Sequence, residues 1–395
     1  GPDGKAAVEP DPEAKLEEPL IVRPTSETII WHMYGKWIQG WRDLPILINQ
    51  WANVVRWELR TRPFLRTAEF LWQEGHTAHA TRDEAVEEAE RMLGVYAAFA
   101  REVLAIPVVP GRKSAAERFA GAEETYTIEA MMQNGWALQA GTSHFLGQNF
   151  AKAFDVTFQN VAGEVEHVWA TSWGVSTRLV GAVIMTHSDD DGLVVPPAIA
   201  PTQVVIVPIV KDDASRAEVQ TFCEGLRDTL KAGGVRVVLD DRDNLKPGAK
   251  YYEWERKGAC LRMEIGPRDV AGGTAFCKKR TGGGKFALPV ADAVTEVRRV
   301  LAEVQQELLD RATTLRDERT QTVSSYADFQ AKLESDGGWF RVYWHDDGEA
   351  EARIKDETKA TIRCFPMEGQ EEAAGQVCFY SGKPATHVAI FARAY

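Results

Sequence analysis

The stretch Val54-Val55-Arg56-Trp57-Glu58, the run Leu59 to Thr67, and then Phe70-Leu71-Trp72-Gln73-Glu74-Gly75-His76 decide how this chain is read. Residues Gln50 to Leu59 alternate like a strand, which puts Arg56 and Glu58, two apart, on one face. Leu59 to Thr67 carries Arg60, Arg62 and Arg66 around Pro63, the make-up of a mobile basic loop. On the returning strand Phe70, Trp72, Glu74 and His76 all project from one face. Unpaired charge is costly to desolvate, so a face bearing Arg, Glu, Glu and His is an ion-pair network, a solvated sheet face or a binding site. The interleaved aromatic groups suit an amphipathic ligand better than water. We read the hairpin as one wall of a binding site.

Glu74, His76 and His79 are also metal-ligand types, as in zinc hydrolases. However, no H-E-x-x-H pattern is present, and His76 and His79 fall on opposite faces of a strand. The hydrolase is the weaker reading, with His79 expected at the surface just ahead of a helix cap. Two further clusters stand out. Gln139-Ala140-Gly141-Thr142-Ser143-His144 sets a glycine beside small hydrogen-bonding side chains, a weak signal alone. Thr171-Ser172-Trp173-Gly174-Val175-Ser176-Thr177-Arg178 leads into an apolar run, and Trp173 to Met185 reads as a buried helix. A lone arginine entering such a helix needs an anion, either a carboxylate or a phosphate.

Around these clusters, 395 residues predict about two or three domains. A chain 44% hydrophobic and 26% charged is neither wholly disordered nor collagenous. No run approaches the roughly 20 apolar residues of a membrane span, and the longest, Val204 to Val210, is interrupted by Pro208. No membrane partner and no secretory leader are expected. Five scattered cysteines, an odd number, argue against a disulfide framework and for the cytoplasm. The net charge of -12 means that any nucleic-acid contact needs a local basic surface.

Residues 1–19, rich in Pro, Gly and acids, read as a flexible N-terminal segment. Thr28 to Trp41 looks helical. Thr81 with Glu84 forms a capping box, and Val86, Ala89, Leu93, Tyr96, Ala100 and Val103 then recur at helical spacing. Strands are expected near Ala137, over Phe154 to Phe158 and over Val165 to Ala170. The Pro-rich stretch Val195 to Pro201 is the clearest boundary. Beyond it come a strand (Gln203 to Val210), a helix (Ala214 to Ala232), a strand (Val235 to Leu239), a helix (Tyr251 to Lys257) and a strand (Arg262 to Ile265). This alternation is that of a three-layer α/β unit. Ala291 to Arg319 is a long charged connector helix, and the rest to Tyr395 is a third, smaller unit. The fold class is α/β and α+β multidomain, divided at 20–200, 201–300 and 301–395.

Arg56-x-Glu58, the arginine-rich loop, and Gly174 with Arg178 on a glycine-led helix resemble motifs 2 and 3 of class II aminoacyl-tRNA synthetases. Within that class, Arg23-Pro24-Thr25-Ser26-Glu27, Phe70 to His76 and Gly141-Thr142-Ser143-His144 are similar to the prolyl-tRNA synthetases, in the archaeal/eukaryotic-like form without an inserted editing domain. The resemblance runs from about Leu20 to Tyr395. It implies an antiparallel-sheet catalytic domain at 20–200, an α/β anticodon-binding domain at 201–300 and a small α+β C-terminal domain. Two features depart from the family pattern. Motif 1, which builds the dimer interface, has no room before Arg23, so the chain reads as N-terminally truncated. The C-terminal domain of zinc-bearing relatives uses four cysteines, whereas here Cys364 and Cys378 remain and the other positions fall near His345, Ala350 and Ser381. No structural zinc is expected.

The resemblance implies that L-proline and ATP give prolyl-adenylate and pyrophosphate, after which the prolyl group passes to tRNA(Pro). It assigns catalysis to Arg56, between substrate carboxylate and α-phosphate, and to Arg178 on the β- or γ-phosphate with Mg²⁺ as bridge. ATP contacts fall to Arg56, Glu58, Phe64, Arg66, Thr67, Gln139, Thr142, Gly174 and Arg178. Proline contacts fall to Thr25, Glu27, Arg56, Trp72, Glu74, His76, Ser143 and His144, with Phe70 beside Trp72. No protein residue is assigned as a metal ligand. The expected partners are tRNA(Pro), L-proline and, in the full-length protein, a second copy in a homodimer. The alternatives are another class IIa synthetase and a non-catalytic tRNA-binding relative.

Overall fold

The computed structural model of the chain describes residues 11, 13, 14, 16–210 and 212–395. Of the segment 1–19 expected to be flexible, residues 1–10, 12 and 15 lie outside the described residues. The first helix, α1 (Glu27–Trp37), is shorter than the expected Thr28 to Trp41. It stops because Ile38 turns extended and the Asp43 carboxylate accepts from the backbone N–H groups of Gln39 and Gly40, both at 2.9 Å. A separate 3₁₀ turn, Trp41–Asp43, results.

Strands β1 (Ile46–Val55) and β2 (Glu69–His79) pair antiparallel, with Gln50 opposite Glu74. Here the sequence reading needs correcting. β1 ends at Val55, so Arg56 and Glu58 lie past the ladder and do not share a strand face. The Arg56 N–H still donates to the Ala68 carbonyl at 2.8 Å, but Pro63 has no N–H to give a ladder. The chain turns instead through a tight loop in which Arg62 and Arg66 bridge each other and Phe64 takes a φ of 59°.

The capping box forms as expected: Thr81 accepts from the Glu84 N–H and the Glu84 carboxylate accepts from the Thr81 N–H. It opens α2 (Arg82–Ala98), whose buried Ala89, Leu93 and Tyr96 pack on Ile128, Leu138, Phe145 and Trp173 of the sheet behind it. That sheet continues through β3 (Val109–Arg112), β4 (Glu124–Met131) and β5 (Ala137–Gly147). After a short helix α3 (Asn149–Ala153), the expected strand at Phe154 to Phe158 is reduced to β6 (Thr157–Gln159), paired with β7 (Val165–His167).

A second correction concerns Trp173 to Met185. The stretch is not one helix: β8 (Trp169–Ser176) runs between β2 and β5, and α4 (Arg178–His187) follows. A strand buried on both faces reads as a continuous apolar run, so its period cannot separate it from a buried helix. Gly174 therefore sits on β8, and Arg178 opens the helix. A Cβ at Gly174 would stand 3.1 Å from the Gln73 carbonyl oxygen, which explains the glycine.

The middle of the chain alternates as expected: β9 (Val204–Pro208), α5 (Asp213–Ala232), β10 (Val237–Leu239), α6 (Pro247–Arg256), β11 (Leu261–Ile265), α7 (Pro267–Gly272), β12 (Thr274–Lys279) and β13 (Phe286–Pro289). The order β10-β9-β11-β12-β13 has its first three strands parallel and its last pairings antiparallel. Helix α8 (Ala293–Glu318) buries Val297, Val300 and Leu301 in this unit, while its Val304, Leu308 and Leu309 pack on Ala105 and Val194 of the first. Arg280 of the middle unit also donates to Asp189 with both terminal nitrogens.

The last part comprises β14 (Thr320–Thr322), α9 (Tyr326–Ser335), β15 (Trp339–Trp344), α10 (Gly348–Thr358), β16 (Thr361–Pro366) and β17 (His387–Ala392). Among the described residues its strands continue the first sheet, in the ten-strand order β1-β2-β8-β5-β4-β3-β16-β17-β15-β14. At the seam, Phe365 and Pro366 of β16 pair with Arg112 and Gly111 of β3. Behind it the fully buried Glu129 accepts from Lys113 Nζ at 2.8 Å and from Arg363 Nε and Nη2 at 3.0 and 2.9 Å. Cys364 and Cys378 are both buried but belong to different apolar clusters, and His345 Nδ1 bonds the Pro384 carbonyl at 2.9 Å.

Candidate active site

An open cleft of about 300 Å³ lies where β2, β8 and β5 meet the start of α1, the start of α4 and the loop after β3. The alternation read in β2 holds, since Phe70, Trp72, Glu74 and His76 all line it. β5 contributes Gln139, Thr142 and His144, β8 contributes Ser172, Trp173 and Gly174, and Glu27, Arg56 and Arg178 close the ends. Gly75 makes the wall possible. A Cβ there would lie 2.0 Å from the Trp173 indole, which crosses β2 at that point.

At one end sit two buried carboxylates. Glu74 Oε1 accepts from Ser26 Oγ and from Gln50 Nε2 at 2.6 Å, while Oε2 faces His76 Nε2 at 3.0 Å. Burial pushes the Glu74 carboxyl up, but the bonds from His76 and Ser26, the His76 charge and the Gln50 bond outweigh it, so the group stays ionised below its usual range. Glu27 accepts from the Thr25 hydroxyl. His76 Nδ1, on the other side of the imidazole, is buried and has no partner among the described residues.

His144 is driven down to about 4 by burial, with His76 adding to the shift, and is neutral near pH 7. The Thr125 hydroxyl accepts from the Phe119 N–H at 3.1 Å and is hydrogen-bonded to His144 Nδ1 at 3.0 Å, which fixes the orientation of the ring. Phe119 packs on the same imidazole with ring centroids 4.7 Å apart.

The other end is cationic. Arg56 donates from Nε to the Pro24 carbonyl at 2.9 Å and lies 5.4 Å from the Phe70 ring and 5.6 Å from the Trp72 ring. Arg178 is held by carbonyls alone: Nε and Nη2 reach Leu65 O at 3.3 and 3.2 Å, and Nη1 reaches Gln139 O at 3.3 Å. Among the described residues no carboxylate lies within ion-pair distance of it. Burial pulls its pKa down and the nearby Arg66 adds to that, with Arg56 a smaller contributor. A guanidinium so placed calls for an anion.

Not every expected contact lines the cleft. Ser143 faces away, fully buried, donating to the Ala89 carbonyl of α2 at 2.7 Å, because it alternates with Thr142 and His144 along β5. It supports α2 and is removed from the proline contacts. Thr25 acts through Glu27. Glu58 lies in the hairpin loop, accepting from the Arg60 N–H at 3.2 Å. Phe64 leans over Gly181, and Arg66 and Thr67 stay in the same loop outside the cleft lining. His79 is buried, not at the surface: it bonds Thr77 at 2.8 Å and burial lowers it to about 4. Among the described residues no three His, Cys, Asp or Glu side chains are grouped to hold a metal.

Sequence reasoning missed the Glu117-Arg118-Phe119 segment, which lines the cleft from the loop after β3, and Thr125 of β4. It also left out Ser172, whose buried Oγ has no partner among the described residues. Ser172 stood in a cluster already singled out. The loop carried no local signal, since only the tertiary path of the chain brings it to the cleft.

Three family models match: "tRNA synthetase class II core domain (G, H, P, S and T)" over residues 9–187, "Anticodon binding domain" over 203–300, and "Prolyl-tRNA synthetase, C-terminal" over 326–395. A Proline--tRNA ligase of Flavobacterium johnsoniae is 56% identical over 385 residues, covering 98% of this chain and 78% of that protein. One of Bacteroides fragilis is 57% identical over 395 residues, covering all of this chain and 79% of that protein. Among solved structures, the prolyl-tRNA synthetase of Cryptosporidium parvum complexed with halofuginone and AMPPNP superposes with a TM-score of 0.93 at 41% identity, over 99% of this chain and 82% of that one. Its complex with L-proline and AMP gives 0.92 at 41%, over 97% and 80%.

Proposed function

The chain belongs to the prolyl-tRNA synthetase family, and from that premise we propose that the cleft joins L-proline to ATP and passes the prolyl group to tRNA(Pro). One observation carries the site assignment: a carboxylate end (Glu27, Glu74) and a guanidinium end (Arg56, Arg178) share one cleft walled by Phe70 and Trp72. That polarity fits a small apolar ring with an ammonium on one side and an acyl phosphate on the other.

In the first step the proline carboxylate oxygen attacks the α-phosphorus in line, the O–P bond forms, and the bond to the β-phosphate bridging oxygen breaks to release pyrophosphate. Arg56 stands between carboxylate and α-phosphate and neutralises the charge that builds there. Arg178 takes the outer phosphates, with Gln139, Thr142 and Gly174 along the nucleotide. Glu58, Phe64, Arg66 and Thr67 belong to the loop that folds over ATP. In the second step a ribose hydroxyl of the tRNA attacks the prolyl carbonyl and AMP leaves. No general base is needed in the first step, because the nucleophile is already an anion.

The secondary ammonium lies against Glu27, held by Thr25, and against the Glu74–His76 pair, with His144 and Trp72 beside the ring. Magnesium characteristically uses one or two carboxylates plus substrate phosphates, and the carboxylates here sit at the amino-acid end. Any Mg²⁺ is therefore carried mainly by the ATP phosphates, where it offsets their charge. For tRNA, the support is the match of residues 203–300 to an anticodon-binding domain, because the cations gathered near Tyr251 there are ion-paired: Arg262 with Glu255 and Glu264, Lys285 with Glu264, Lys278 with Glu255, Lys279 with Glu307 and Arg280 with Asp189.

Proline-dependent exchange of pyrophosphate into ATP tests the reading directly; exchange with another amino acid in place of proline would overturn it. Glu27→Gln and Glu74→Gln are each expected to raise the KM for proline by roughly tenfold, with the KM for ATP little changed, as a charge-assisted bond to the ammonium is lost. The opposite ranking would make these carboxylates scaffolding.

Homodimerisation finds support in the exposed outer face of the edge strand β1, where Leu47, Trp51 (84% exposed) and Val55 are interleaved with Asn49 and Asn53. A tryptophan so exposed on an edge strand is ordinarily covered. Sedimentation equilibrium of the full-length protein is expected to show a dimer that Trp51→Glu converts to monomer; a full-length protein that stays monomeric at tens of micromolar overturns the assignment. All five cysteines are buried and free, in keeping with the cytoplasm, and among the described residues no helix is long and apolar enough to cross a membrane.

A further inference from the structure

The loop after β3 borders the cleft, yet its holdfasts lie more than two hundred residues away. Lys113, at its start, is buried and donates to Glu129 Oε1 and to the Arg363 carbonyl, both at 2.8 Å. Ser114, fully buried, donates from Oγ to Glu351 Oε1 at 2.8 Å. Glu117, which lines the cleft, accepts from Lys355 Nζ at 3.1 Å. Glu351 and Lys355 are four apart on α10, so one face of one helix supplies both anchors.

From these anchors the contacts run into the amino-acid end of the cleft. The Phe119 N–H donates to Thr125 Oγ1, Thr125 Oγ1 is hydrogen-bonded to His144 Nδ1, and the Phe119 ring lies on the His144 imidazole. A carboxylate as buried as Glu351, reached by a single side-chain donor, is expensive to keep for packing alone. Resting on the functional reading above, we propose that Glu351 and Lys355 of α10 are positioning residues for proline. They seat the 113–119 loop so that Phe119 and His144 close around the pyrrolidine ring, and the C-terminal part of the chain thereby sets amino-acid affinity.

The test is exchange kinetics on the full chain with proline and ATP varied separately. Glu351→Ala is expected to raise the KM for proline about tenfold, the fold-change that loss of a buried hydrogen bond to a carboxylate gives. The KM for ATP and the saturating rate per active site, counted by adenylate burst, should stay within about twofold. Glu351→Gln keeps an acceptor for Ser114 and should restore the proline KM. Lys355→Ala removes a half-exposed pair, cannot unfold the chain, and should raise the proline KM by about two- to threefold. Hydrogen exchange of the 113–122 segment should accelerate in Glu351→Ala while α2 is unchanged. Equal shifts in both KM values, a loss confined to the number of active sites, or failure of Gln to rescue would each overturn the proposal. Should Glu351→Ala fail to fold, an unchanged proline KM in Lys355→Ala and Ser114→Ala overturns it as well. Absence of proline-dependent exchange in the unsubstituted chain is a different result, and would count against the functional reading instead.

Discussion

Arg56→Ala is expected to slow proline-dependent pyrophosphate exchange by about 10² to 10³-fold, the loss seen when one preorganised donor to a developing oxyanion is removed. The residue is half prepared for that work. Its Nε is tied to the Pro24 carbonyl and its plane sits by Phe70 and Trp72, which leaves the terminal nitrogens to reach toward the anionic substrates. Because the interaction strengthens as charge moves onto the α-phosphate, the loss should fall on the saturating rate more than on either KM. Lysine should rescue poorly, since it cannot hold the Pro24 carbonyl and two oxygens in one plane. Near-normal exchange in the alanine variant would remove Arg56 from the mechanism.

Glu129→Ala should cost about 3–5 kcal/mol of stability, the scale for stripping one member from a buried ion cluster. It would leave Lys113 and Arg363 facing each other with no anion between them. Burial alone would push the Glu129 carboxyl up, but the charges and hydrogen bonds of Lys113 and Arg363 win, and its folded pKa lies below the usual value. The linkage follows in sign. A depressed carboxylate contributes its full stabilisation above the unfolded pKa of about 4.3, and that contribution drains away as pH falls toward the folded pKa. The melting-temperature gap between wild type and Glu129→Gln should therefore be flat from pH 7 to about 5 and close only under acid. A gap that widens as pH falls would mean that the carboxyl is protonated in the fold.

How far the sequence could be read depended on whether the evidence was local. The β2 face was legible because alternation is a property of neighbours, and Phe70, Trp72, Glu74 and His76 do share the cleft. The same rule misplaced Arg56 and Glu58, since nothing in their spacing says that the ladder stops at Val55. Trp173 to Ser176 was unreadable by period, because four strand residues that run straight into α4 show no alternation separable from the helix that follows. Ser143 was grouped with Thr142 and His144 by resemblance to a motif, whereas a strand sends every second side chain the other way. The Glu117 to Phe119 segment reaches the cleft through contacts distant in sequence, Glu117 with α10 and Phe119 with Thr125 and His144, and a window of sequence holds no trace of them.

The seam between β3 and β16 has a consequence for synthesis on the ribosome. Glu129 waits 234 residues for Arg363, and the whole 203–300 unit is made in between. That unit is contiguous and closes its own sheet, so it can fold as it emerges. The earlier strands cannot finish, because the free edge of β3 and a bare carboxylate persist until the last part of the chain appears. Such non-local pairings are the slow ones, and the half-made sheet is exposed to wrong partners for the longest time. The nascent chain is thus expected to pass through a stage with a completed 203–300 unit and an unfinished first sheet, whose β3 edge stays open to wrong partners until β16 is made.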